Sequence, residues 1–168
     1  MGLVFDTRRA WELSPIKQRF DFIRFLRQLP LLFDTSCVAH FEVTSMDTDI
    51  REFIIAHEPD LKQELVRQTY GCLEFSLFMI KKCEIEQLHM LLSSENIAHF
   101  CDIAEGHNEH EICDHFHVYR DNTVLLDFCD VPSNSVFVSG DIAEDQIKLF
   151  CNNCGLKYAR LRDDCPEV

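Results

Sequence analysis

The sequence predicts a single α+β domain over residues 1–168, with about five mostly antiparallel strands and four or five helices. Three observations lead there. The 168 residues are the length of one domain, enough to bury roughly two thirds of the surface an unfolded chain exposes. The composition, 46% hydrophobic and 27% charged, is that of a folded soluble protein, and fourteen Phe supply rings for a core. Finally, the apolar pattern switches between helical and alternating spacing, with no repeat, low-complexity run or Gly/Ser/Pro linker.

A helix is predicted from Pro15 to Leu29. Ser14 suits the N-cap and Pro15 the first helical position; Ile16, Phe20, Ile23 and Leu26 share a face, and Pro30 stops it. CVAHFEVTS (37–45) alternates, with Cys37, Ala39, Phe41 and Val43 inward and Val38, His40, Glu42 and Thr44 toward water. Residues 47–57 return to helical spacing, and 58–70 read as a second helix with Pro59 in its first turn. LEFSLFMI (73–80) reads as a central strand, and residues 84–92 and 94–106 as helices, the latter ended by Gly106.

The remainder is richer in strands. Residues 112–119 and 123–129 alternate around Arg120-Asp121-Asn122, which predicts a hairpin, and Val136–Val138 forms a short strand. Asp141 and Glu144 resemble a capping pair. A helix follows through Ile147, Phe150, Cys151 and Cys154 to a Gly155 cap. A strand over 156–162 completes a βαβ-like unit.

Charge is the strongest functional signal. Between Glu95 and Asp145 there are twelve acids and a single base, Arg120. Residues 1–30 hold six bases against three acids, whereas 31–168 hold ten against 26, within a net charge of −13. An acidic surface of this kind repels phosphates and anionic membranes and attracts basic proteins. The bases of the first predicted helix pair most simply with the acidic half. Nine scattered cysteines, with no apolar leader in MGLVFDTRRAW, suggest a reducing, cytoplasmic setting.

Two constellations invite a metal or redox reading. HNEHEICDHFH (107–117) offers His107, His110, Cys113, His115 and His117. On a strand, Cys113, His115 and His117 would share a face, yet such a pattern is equally a hydrated, pH-sensitive surface. Cys151-x-x-Cys154 falls at a helix C-terminus, where the dipole opposes a thiolate, so core packing is the simpler reading. No P-loop, dinucleotide fingerprint, G-x-S-x-G or H-E-x-x-H occurs. No catalytic residue, metal ligand or cofactor is therefore expected.

Small, acidic, α+β and without catalytic motifs, the chain resembles bacterial toxin-immunity proteins of the contact-dependent growth inhibition type. The resemblance is one of profile across the whole chain. It implies a cytoplasmic inhibitor of a basic cognate toxin, a nuclease domain above all, with no direct contact to nucleic acid or membrane. Charge alone nominates Glu105, Glu109, Glu111, Asp114, Asp121 and Asp130 as the partner-binding residues. The alternative function is a zinc-dependent hydrolase using the 107–117 cluster.

Overall fold

The computed structural model describes residues 9–16, 20–60, 85–131 and 136–161. Within them lie seven strands: β1 (Trp11–Pro15), β2 (Val38–Val43), β3 (Glu86–Leu91), β4 (His115–Arg120), β5 (Thr123–Phe128), β6 (Val136–Val138) and β7 (Leu156–Arg160). The helices are α1 (Phe22–Gln28), α2 (Thr48–Ala56), α3 (Ser94–Ala104), the single-turn α4 (Glu109–Ile112) and α5 (Glu144–Cys154). The strands form one sheet in the order β3-β2-β4-β5-β6-β1-β7, with every neighbouring pair antiparallel. The α+β prediction holds, with more strands than the five expected.

The extra strands come from two misread segments. Ser14-Pro15 ends β1 instead of starting a helix. Beyond Leu13 only β7 pairs with β1, so Pro15 lies where the ladder to β6 has already ended. The helix begins later, at Phe22, where the Asp21 carboxylate accepts from the Arg24 N–H at 2.9 Å. Residues 84–92, rich in Glu, Gln, Leu and Met, read as a helix, yet Glu86–Leu91 pairs residue for residue with β2. Pairing along a whole neighbouring strand outweighs the intrinsic helix preference of these residues.

Other boundaries shift. The predicted strand at 112–119 starts only at His115, because Glu109–Ile112 closes one helical turn around a capping box between Asn108 and Glu111. Ala143, not Asp141, is the N-cap of α5, while Gly155 caps its end at φ 69° as expected. The βαβ-like unit is split: β6 and β7 flank β1, so α5 crosses over an intervening antiparallel strand. Residues 58–60 are not helical. The rest of the predicted 58–70 helix and the predicted 73–80 strand lie outside the described residues.

The core fills the space between one sheet face and the helices. Ala39, Phe41, Leu88, Met90, Phe116, Val118, Leu126 and Phe128 supply the sheet side. Phenylalanines interlock across it: the Phe25 ring lies 5.7 Å from Phe128 and 5.3 Å from Phe150, and Phe41 lies 5.1 Å from Phe116. At the other end, Trp11 donates to the Ile142 carbonyl at 3.0 Å. Nearby, a Cβ on Gly140 would stand 1.5 Å from the Arg9 carbonyl oxygen, so only glycine fits there.

Candidate functional site

The alternation of β2 places two polar residues, His40 and Glu42, on the sheet face opposite the Phe core. The sequence suggests that they face water. Both are instead buried, at 0% and 3% exposure. The register explains what they meet. His40 stands opposite His89 on β3 and His117 on β4, and His117 stands opposite Asp127 on β5. One transverse row of the sheet therefore reads His89, His40, His117, Asp127.

The side chains in this row touch. The His40 ring centroid is 4.7 Å from His89 and 5.4 Å from His117. The His89 Nδ1 shares a hydrogen bond with the Tyr119 hydroxyl at 3.0 Å. The His117 Nδ1 lies 2.9 Å from the Asp127 carboxylate. One ligand atom from each of His40, Glu42 and His117 lies within 4.8 Å of the other two. Two imidazoles and a carboxylate so placed form a set able to hold a divalent metal. The signal in the sequence was an H-x-E pair on an alternating strand; the partners on β4 and β5 are visible only once the register is known.

The described side chains of the 107–117 cluster do not converge. The His107 Nδ1 lies 3.7 Å from Glu111 and 4.0 Å from Asp47. The His115 Nδ1 accepts from the Asp130 N–H at 2.9 Å. Cys113 caps α4 and turns into the helix-side core, so it does not share a face with His115 and His117. Burial pushes its thiol well above the ordinary range. Of the described side chains in this cluster, His117 alone joins His40 and Glu42.

Cys151 and Cys154 pack as the sequence suggests, the first within the core and the second against it. Burial raises their thiols from 9.0 to about 11 and about 12. No disulfide joins any two of the six described cysteines.

Of the predicted partner-binding residues, Glu109, Glu111, Asp114 and Asp130 gather at one end of the sheet. The Glu111 carbonyl accepts from the Asp47 N–H at 3.1 Å, and the Asp114 carbonyl accepts from the Val131 N–H at 2.9 Å. Asp47 and Asp49, at the start of α2, extend this end to six carboxylates drawn from α2, α4 and the flanks of β4 and β5. Several also serve the fold. Asp114 accepts from the Thr44 N–H at 2.6 Å and the Thr44 hydroxyl at 2.8 Å, and Glu111 accepts from the Asn108 N–H at 2.9 Å.

Two predicted residues lie apart from that group. Glu105 lies 3.5 Å from Arg27, which also holds Asp102 at 2.8 Å. That pairing follows the expectation that the first helix neutralises acids of its own chain. Asp121 sits in the β4–β5 turn at φ 53°, at the far end of a six-residue strand. Arg51 of α2, whose N–H donates to the Asp47 carbonyl at 3.0 Å, directs its side chain to Glu86, with its Nε 2.9 and 3.0 Å from the two carboxylate oxygens. Among the described residues no helix is long and apolar enough to cross a membrane. No protein-family model matches this sequence, and neither a curated protein nor a solved structure matches it.

Proposed function

We propose that the chain is a cytoplasmic inhibitor of the toxin-immunity type, which binds a basic nuclease toxin and covers the surface the toxin uses for its substrate. The observation that carries this reading is the gathering of Asp47, Asp49, Glu109, Glu111, Asp114 and Asp130 at one end of the sheet. Carboxylates held together by backbone and side-chain hydrogen bonds keep like charges close despite their repulsion. A field of this sign steers a positive partner and repels phosphate, so it suits a competitor of nucleic acid rather than a nucleic-acid binder.

The test is co-expression with a basic nuclease toxin domain, sought first in the genes neighbouring this one. Cells making that domain survive when this chain is present and die without it. Equal killing in both cultures, with the chain folded and abundant, removes the proposal.

A further inference from the structure

We infer that His40, Glu42 and His117 bind one Zn²⁺ ion between β2 and β4, on the sheet face opposite the Phe core. The argument is independent of the acidic end and stands whether or not the chain is an inhibitor.

Donor chemistry comes first. Two imidazoles and one carboxylate are a zinc ligand set with a fourth position for water or a small ligand. The three donors lie within 4.8 Å of one another. Tetrahedral ligands at zinc stand roughly 3.3–3.5 Å apart for bonds of about 2.0–2.1 Å, so binding draws the side chains together by at most about 1.5 Å. All three come from rigid, directly paired strands, His40 facing His117 in register and Glu42 two residues along the same face. That support restricts the site to small rotations of the side chains.

The residues around the set orient it. The His117 Nδ1 faces the Asp127 carboxylate at 2.9 Å, which leaves Nε2 as the nitrogen available to a metal. Both ring nitrogens of His117 are buried without a hydrogen bond among the described residues, Nδ1 having the Asp127 carboxylate at ion-pair distance and Nε2 no charged neighbour of that kind. Carboxylate, imidazole and metal in line is a recurrent arrangement, and the outer carboxylate fixes the tautomer and raises the basicity of the ligand. The charges also balance, since Glu42 and Asp127 together offset a divalent ion in a place where an uncompensated charge is costly. Binding requires neutral histidines and an ionised Glu42, so any protons these groups carry are released to solvent.

The experiment uses the full chain without a polyhistidine tag, stripped with chelator and titrated with Co²⁺ and then Zn²⁺. The expected result is one Co²⁺ per chain with the visible absorption of a low-coordinate ion, displaced by one equivalent of Zn²⁺. Glu42→Gln and His117→Ala abolish this uptake, while a His107→Ala/His115→Ala variant retains it. Because ligand variants can fail to fold, Asp127→Asn gives a second reading: it keeps every ligand and weakens Zn²⁺ affinity about 10- to 100-fold. A folded wild-type chain that takes up no stoichiometric metal overturns the inference. So does uptake that survives in folded Glu42→Gln and His117→Ala, or an Asp127→Asn variant with wild-type affinity.

Discussion

The His117 imidazole and the Asp127 carboxylate meet across the β4–β5 ladder at 2.9 Å, with the imidazole only 2% exposed. The pair joins the buried row of histidines to a half-buried acid at its edge. Removing the acid leaves a buried ring nitrogen facing nothing of opposite charge. We predict that Asp127→Ala lowers metal-free stability by about 1–3 kcal/mol, read as a lower urea midpoint with an unchanged slope. An unmoved midpoint counts against the pairing.

Asp114 has a structural role besides its charge. Its carboxylate holds both the backbone and the hydroxyl of Thr44, pinning the end of β2 to the start of β4. Asp114→Ala loses charge-assisted bonds at about 1.5–3 kcal/mol. Thr44→Val, which removes only the hydroxyl, loses less. Equal effects of the two substitutions in chemical denaturation would contradict this division.

Gly140 faces the Arg9 carbonyl with no room for a side chain. Gly140→Ala forces the two segments apart, at a cost of about 1–3 kcal/mol. A thermal midpoint equal to that of wild type would show that the approach is looser than described.

The thiols of Cys101, Cys151 and Cys154 are raised from 9.0 to about 12, about 11 and about 12, burial being the largest cause. In the unfolded chain they ionise near their ordinary value, so above it the unfolded state binds fewer protons. Their contribution is therefore fully present below pH 9 and is lost as pH climbs toward the folded values. Stability measured from pH 8 to pH 11 falls, and alkylation of these three residues in the native protein is at least tenfold slower than in urea. Rapid native labelling of Cys151 at pH 8 would contradict their burial.

Much of the molecule can be read from local pattern. β2, α2, α3, the β4–β5 hairpin and the Gly155 cap each carry a periodicity or cap that short-range physics enforces. β1 and β3 do not. Ser14-Pro15 imitates a helix start, and the Glu, Gln, Leu and Met of residues 84–92 favour a helix until β2 offers six partners in register. The acidic end is legible as charge but not as place: Glu105 and Asp121 have the same sequence character as Glu109, yet one turns to Arg27 and the other sits at the opposite end of β4. The buried row of histidines depends wholly on strand order, since His40, His89 and His117 are far apart in the chain and adjacent only across β3, β2 and β4.

The central claim, that the six-carboxylate end receives a basic toxin, is tested most directly by the association rate with that toxin domain at low and high salt. A variant carrying Asp49→Lys, Glu109→Lys and Asp130→Lys spares Asp114 and Glu111, and Asp121→Lys serves as the comparison at the opposite end. The account predicts at least a tenfold slower association for the triple variant at low salt. That difference shrinks at high salt, and Asp121→Lys stays near wild type. A folded triple variant that associates at the wild-type rate at low salt, or an equal loss in Asp121→Lys, would contradict it.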